Sequence, residues 1–434
     1  VILLSIYQKS PSKRIRSNSH IFEEQLEHKR QQQTFQKIVN AEMYVKKAYY
    51  DPRQNDQPVI KILALTTMYK PLIFCHIKLK DKDENVTVQA SIKVVNYTIP
   101  PYCNWITAII KCPCNTRVIP DYVSLSMSKF GITNSWIEVE VPKYELQKPL
   151  SFGICVKTLL GQTDADVDAL MEWFELNKLV GVNKIILYDV ENCSSNVLSL
   201  LEYYQTNGFL DIQAWPLPVK SLNDVKIITP KEECLQYHAE ILMRADCLYH
   251  FMDDFSHVGM IDFDEFIIPS GETLLWKDMI TQIESNPSSK RAAAYGFDEG
   301  CFKTPRHGLP FHVGDTTLNM RSKNYRRYKT LRRKNDLGQY HKSIIKTQFV
   351  TSMYVREPIE VVKDYEISMY IDSKIAKLHH YRNVCKNIPI NETLVEDSIA
   401  GKYLEELTQN MKKVKINLRL KESKDHFIKN YTKN

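Results

Sequence analysis

Three acids sit within four positions where a short apolar run ends. Val258-Gly259-Met260-Ile261 leads into Asp262, Asp264 and Glu265, and Phe266-Ile267-Ile268-Pro269 follows. The apolar run predicts a buried strand. Side chains two apart on a strand point the same way, so Asp262 and Asp264 converge while Phe263 turns into the core. Two hard carboxylates at a strand end suit a divalent cation such as Mg²⁺ or Mn²⁺, which keeps positions open for substrate phosphates. Acids placed this way have a plainer use too, in capping the next turn or helix.

Two further clusters could meet a phosphate. Arg321 to Lys346 carries ten Lys and Arg residues with Asp336 as the lone acid, and Tyr325, Tyr328 and Tyr340 between them. Such a run attracts nucleic acid, a nucleotide diphosphate or an acidic membrane surface, although most of it suits a solvated face. Lys342 precedes the apolar pair Ile344-Ile345 and is best placed for substrate contact. In Lys377-Leu378-His379-His380-Tyr381-Arg382, a histidine can supply nitrogen to the same cation and Arg382 can grip a phosphate with two donors. Paired histidines also occur simply as core or surface residues.

The elements that must position these residues alternate. Strands are predicted at Phe152–Lys157, Asn183–Tyr188 and Leu210–Trp215, ahead of the Val258 strand. Helices are predicted at Asp164–Leu179, Val197–Tyr204 and Lys231–Phe251, the last with a capping box at Thr229, Pro230 and Glu232. The alternation predicts a doubly wound, mostly parallel α/β sheet that takes its ligand at the carboxyl ends of the strands. No G-x-G-x-x-G, G-x-x-x-x-G-K-[ST] or G-x-S-x-G run is present. A phosphate ligand would therefore rely on metal and basic side chains.

Ahead of that domain, residues 59–148 read as a β-rich accessory module, with strand signals at Val59–Ala64, Leu72–Ile77, Val86–Ile92 and Trp136–Val141. Its Cys75, Cys103, Cys112 and Cys114 could staple it. Residues 1–58 read as a stem or linker, with a helix possible over Ile21–Ala48. The α/β domain is expected over residues 149–391. Residues 392–434, with Lys412, Lys413, Lys415 and Lys421, read as a basic tail, either an exposed helix or disorder.

The chain has 434 residues, 43% hydrophobic and 25% charged, with net charge +7, which is globular composition for two or three domains. Its 10 cysteines are scattered rather than paired as metal knuckles. Five N-x-S/T sequons, at Asn85, Asn96, Asn192, Asn391 and Asn430, accompany them. Both features favour an oxidising secretory compartment and argue against a nucleic-acid partner. Val1–Tyr7 is too short to span a bilayer but could end a signal anchor. Lys9, Lys13, Arg14 and Arg16 then fall on the wrong side for a luminal protein.

The run from Gly259 to Pro269, with Asp246-Cys247-Leu248-Tyr249, Trp173 to Val182, His341-Lys342-Ser343-Ile344-Ile345 and His380-Tyr381-Arg382, resembles glycosyltransferase family 92 over about Phe152 to Ile390. The resemblance implies a GT-A fold and inverting, metal-dependent transfer of galactose from UDP-galactose to a glycan acceptor. Asp262 would face the ribose or metal, and Asp264 would hold the metal. His380 would complete the site, with His379 its rival. Lys342 and Arg382 would contact the donor. Mn²⁺ is the expected ion, and a Golgi or other secretory lumen with a type II anchor is the expected setting. An inverting transfer needs a general base for the acceptor hydroxyl. Glu265, Asp298 and Glu299 are candidates. The rival readings are an inactive glycan-binding protein on the same fold, and a nucleic-acid binder using Arg321 to Lys346.

Overall fold

The computed structural model describes residues 18–38, 41–53, 57–67, 71–79, 85–95, 103–114, 118–131, 133, 135–145, 148–221, 234–304, 309–313, 316–324, 326–328, 341–385 and 394–418. The described residues open with helix α1 (Asn18–Gln32). The chain then enters strands β1 (Met43–Asp51), β2 (Val59–Thr67), β3 (Phe74–Leu79), β4 (Trp105–Pro113), β5 (Pro120–Ser126) and β6 (Ile137–Glu140). The helix expected over Ile21–Ala48 is thus shorter, and the sheet begins with the short strand Gln36–Lys37, paired with Met43–Asp51, rather than at Val59. Met43-Tyr-Val-Lys-Lys-Ala-Tyr-Tyr pairs along β2, and that pairing outweighs local helix propensity.

These strands lie in the order β4-β2-β1-β6-β5-β3 within an 11-stranded sheet. Strand β2 is buried on both faces. Ile60, Ile62 and Ala64 face the sheet's own core. Leu63 and Leu65 face the second half of the chain. Disulfide Cys75–Cys112 lies within the sheet, whereas Cys103 pairs with Cys234 far along the chain. Cys114 is not disulfide-bonded, so the four cysteines do not staple the module by themselves.

The second half supplies β7 (Phe152–Val156), α2 (Val167–Leu179), β8 (Lys184–Tyr188), α3 (Ser195–Thr206), β9 (Leu210–Gln213), β10 (Cys234–Leu235) and α4 (Glu240–His250). There follow β11 (His257–Gly259), β12 (Glu265–Pro269), α5 (Trp276–Glu284), β13 (Ala294–Lys303), β14 (His341–Lys346), β15 (Met369–Ile371), β16 (Ala376–Arg382) and α6 (Leu404–Asn417).

Their sheet runs β9-β8-β7-β11-β14-β13-β16-β12, with β15 beside β13. Strands β9, β8, β7 and β11 are parallel, as the alternation predicts. The rest is mixed: β14 is antiparallel to β11 and β13, and β12 to β16. Helical crossovers enforce parallel pairing, and the described residues from β13 to β16 contain no α-helix. Ile154 and Val156 face a core with α2, α3, α5 and α6. Cys155 and Ile186 face α4 and the amino-terminal sheet.

Two further expectations change. Helix α4 starts at Glu240, because Cys234 and Leu235 are taken into the amino-terminal sheet beside Trp105. The proposed capping box at Thr229–Glu232 lies outside the described residues. The segment after residue 392 is no loose tail over its described part, since Leu407, Met411 and Val414 of α6 are buried in the core. No described helix is long and apolar enough to cross a membrane, and Val1–Tyr7 lies outside the described residues.

Candidate metal and donor site

The apolar run around Asp262 is two strands, not one. Strand β11 stops at Gly259 and β12 starts at Glu265. The acids lie in the turn between them, where Glu265 N donates to Asp262 O at 3.1 Å. Asp262 N donates to Glu265 Oε2 at 2.9 Å and closes the turn from the other side. The Trp173 indole on α2 donates to the carbonyls of Asp262 and Glu265, both at 3.1 Å. Phe263 packs on that indole, with ring centroids 4.7 Å apart. The turn lies beyond the carboxyl ends of β7 and β11. Helix α2 leaves β7 on one face of the sheet, while α4 enters β11 on the other. Open α/β sheets bind ligands at such a reversal.

Asp262 is surrounded by cations. Lys342 Nζ reaches Oδ2 at 2.7 Å, Arg244 Nη2 reaches Oδ1 at 3.3 Å, and Lys157 Nζ lies at 3.8 Å. Burial would raise its pKa, but Lys342, Lys157 and Arg244 hold it well below the usual range. Lys342 is itself buried, yet Asp262 and Glu265 keep its pKa raised. Arg244 is anchored by Glu240 Oε1 at 2.9 Å, one helical turn earlier, and by the Cys155 carbonyl. Lys157, the residue after β7, is 45% exposed by side chain and lies 3.8 Å from Glu240.

Asp264 takes a different partner. Antiparallel pairing of β12 with β16 sets Glu265 opposite His380. His380 Nε2 then lies 3.1 Å from Asp264 Oδ2, and Nδ1 lies 2.8 Å from Glu299 Oε1. Burial would lower the His380 pKa, but the bonds to Asp264 and Glu299 raise it to about 10. Burial raises the Glu265 carboxyl despite the nearby Lys342. Asp264 stays open to solvent, with 37% of its side chain exposed.

Asp264, Glu265 and His380 bring ligand atoms within 4.8 Å of one another. Two carboxylates and one imidazole suit a divalent cation, so these residues fit the expected ion. Asp262 is not in that group and meets Lys342 instead.

Glu299 and His380 come together, and Lys342, expected to contact substrate, lies against Asp262. Arg382 ends β16; burial would raise the Glu299 pKa, but His380 and then the charges of Arg356 and Arg382 lower it. Strand alternation puts Asp298 on the opposite face of β13 from Glu299. His379 is a core residue, stacked on Phe302 at 4.5 Å. Lys329, Arg332, Arg333 and Lys334 of the basic run lie outside the described residues. Lys157, Glu240 and Arg244 were not anticipated. Two signals could have found them: the position directly after the first parallel strand, and the i,i+4 acid–base pair on the helix.

Residues 151–433 match the family model for glycosyltransferase family 92. The chain is also similar to a protein of Caenorhabditis elegans described as beta-1,4-galactosyltransferase galt-1, with 20% identity over 292 residues. That alignment covers 64% of this chain and 61% of the relative, so the chain spans under two thirds of the relative's length. The match holds the acid turn, Lys342 and His380 within one family domain, and the chain belongs to glycosyltransferase family 92.

Proposed function

We propose that the protein transfers galactose from UDP-galactose to a glycan acceptor, with inversion, on a GT-A catalytic domain. The observation that carries this reading is the cluster of Asp264, Glu265 and His380 beside the lysine- and arginine-ringed Asp262, at the ligand-binding end of the sheet. The family membership and the galactosyltransferase relative support the sugar chemistry.

A divalent cation such as Mn²⁺, when bound, neutralises charge growing on the departing diphosphate. The chain's own residues do the rest. Trp173 clamps the turn, so Asp264 and Glu265 are fixed before any ligand arrives. Arg244 and Lys342 hold Asp262 in place and anionic. The half-exposed Lys157 ammonium lies 3.8 Å from Asp262 and can meet a phosphate oxygen there.

Four disulfides, and exposed sequon asparagines at Asn85 and Asn192, fit work in the secretory lumen, as in the Golgi. The test is UDP release from each UDP-sugar with Mn²⁺, with EDTA and with Asp264→Ala. UDP-galactose turnover that EDTA and the substitution both abolish is expected. Turnover that persists in Asp264→Ala, or sugar binding without turnover, would overturn the reading.

A further inference from the structure

His380 has an acid at each ring nitrogen, and the two acids are not equivalent. Asp264, facing Nε2 at 3.1 Å, belongs to the group that can hold a cation; Glu299, facing Nδ1 at 2.8 Å, lies outside it. An imidazole lends a metal one nitrogen, and the hydrogen bond at the other decides which. Glu265 Oε1 also approaches Nδ1, but at 3.6 Å it is too far for a good hydrogen bond.

Both members of the short contact are set by strands. Parallel pairing of β13 with β16 places Glu299 opposite Leu378, and alternation turns Glu299 toward the face that His380 occupies. Only 12% of the Glu299 side chain is exposed, so water competes weakly for its oxygens.

We propose that Glu299 is a positioning residue: it accepts the Nδ1 proton of His380 and so presents Nε2, on the Asp264 side, to a divalent cation. The inference rests on the metal-dependent reading above. A carboxylate behind a ligating imidazole fixes the ring and raises its basicity, and removing such a partner costs on the order of 10- to 100-fold in metal affinity.

The test is titration calorimetry of the whole chain with Mn²⁺ in the presence of UDP. Wild type is compared with Glu299→Leu, Glu299→Gln, His380→Ala and the double variant His380→Ala/Glu299→Leu. Thermal midpoints in EDTA check that each protein is folded. Glu299→Leu is expected to weaken Mn²⁺ on the order of 10-fold or more. Glu299→Gln, whose amide oxygen still accepts the Nδ1 proton, is expected to recover part of that loss. In the His380→Ala background Glu299→Leu should cost nothing further, because its effect passes through the imidazole. An equal loss in that background would overturn the proposal. Wild-type affinity in both Glu299 variants would overturn it and leave the metal reading standing. Wild type that binds no Mn²⁺ would overturn both.

Discussion

Tyr49 on β1 donates its hydroxyl proton to the carboxylate of Asp246 on α4, at 2.7 Å across the junction of the two sheets. Tyr188 donates to the other oxygen at 2.6 Å, and Lys47 lies at 3.4 Å. One turn on, Tyr249 donates to Asp51 at 2.8 Å, beside buried Lys61 and Arg53. Helix α4 therefore faces the amino-terminal sheet with Asp246 and Tyr249, and faces Asp262 with Arg244.

The two halves should consequently unfold together. Asp246→Ala strands two buried hydroxyls and one lysine, at a cost of about 3–5 kcal/mol. Tyr49→Phe removes one charge-assisted bond, at about 1.5–3 kcal/mol. Urea unfolding followed by fluorescence and circular dichroism should give a single coincident transition. Two separate transitions would sink the coupling.

Lys342 should be as important for folding as for any donor. It is buried against Asp262 at 2.7 Å and Glu265 at 3.0 Å. Lys342→Met takes the ammonium from buried Glu265 and leaves Asp262 with only Arg244 and the more distant Lys157, and should lower stability by about 3–5 kcal/mol. A urea midpoint equal to wild type would contradict this.

Acid should weaken the fold before its paired carboxylates are protonated. Burial pushes the His257 pKa down to about 4 and the His379 pKa down to about 3. Unfolded imidazoles titrate near ~6.5, so between there and about pH 4 the unfolded chain binds more protons than the folded one. Stability is thus full above that window and falls on acidification through it, by up to about 1.4 kcal/mol per pH unit for each histidine. The drop in urea midpoint from pH 7 to pH 5 should be smaller in His257→Asn. An identical drop would remove His257 from the account.

The disulfide map is a fourth check. Peptide mapping without reduction should recover Cys75–Cys112, Cys103–Cys234, Cys155–Cys247 and Cys301–Cys385. Replacing Cys103 and Cys234 by serine should cost about 2–5 kcal/mol. A different partner for Cys103 would refute the junction between the sheets.

Where local pattern decided the structure, the sequence was readable. The strands near Phe152, Asn183 and Leu210 and the helices between them follow from apolar spacing alone. The three acids stand out as a candidate site, but the sequence reads as a strand where the structure has a turn. Its geometry depends on Trp173, 89 residues earlier for the Asp262 carbonyl, and no local period carries such a contact. Strand β1 looked helical because its partner β2 decides its conformation. Asp246 and Tyr249 stood out in the sequence as part of a family-like run, yet their task is to dock the other sheet. Only long-range pairing reveals that.

The Cys103–Cys234 bond bears on the order of events during synthesis. The amino-terminal strands leave the ribosome first, but the bond joins residues 131 positions apart and the Trp105 edge is completed by Leu235. The early half must therefore wait, partly assembled and with a reactive thiol, until the later half emerges. A nascent chain arrested near residue 150 should still expose that thiol to alkylation, and one arrested well past Cys234 should not.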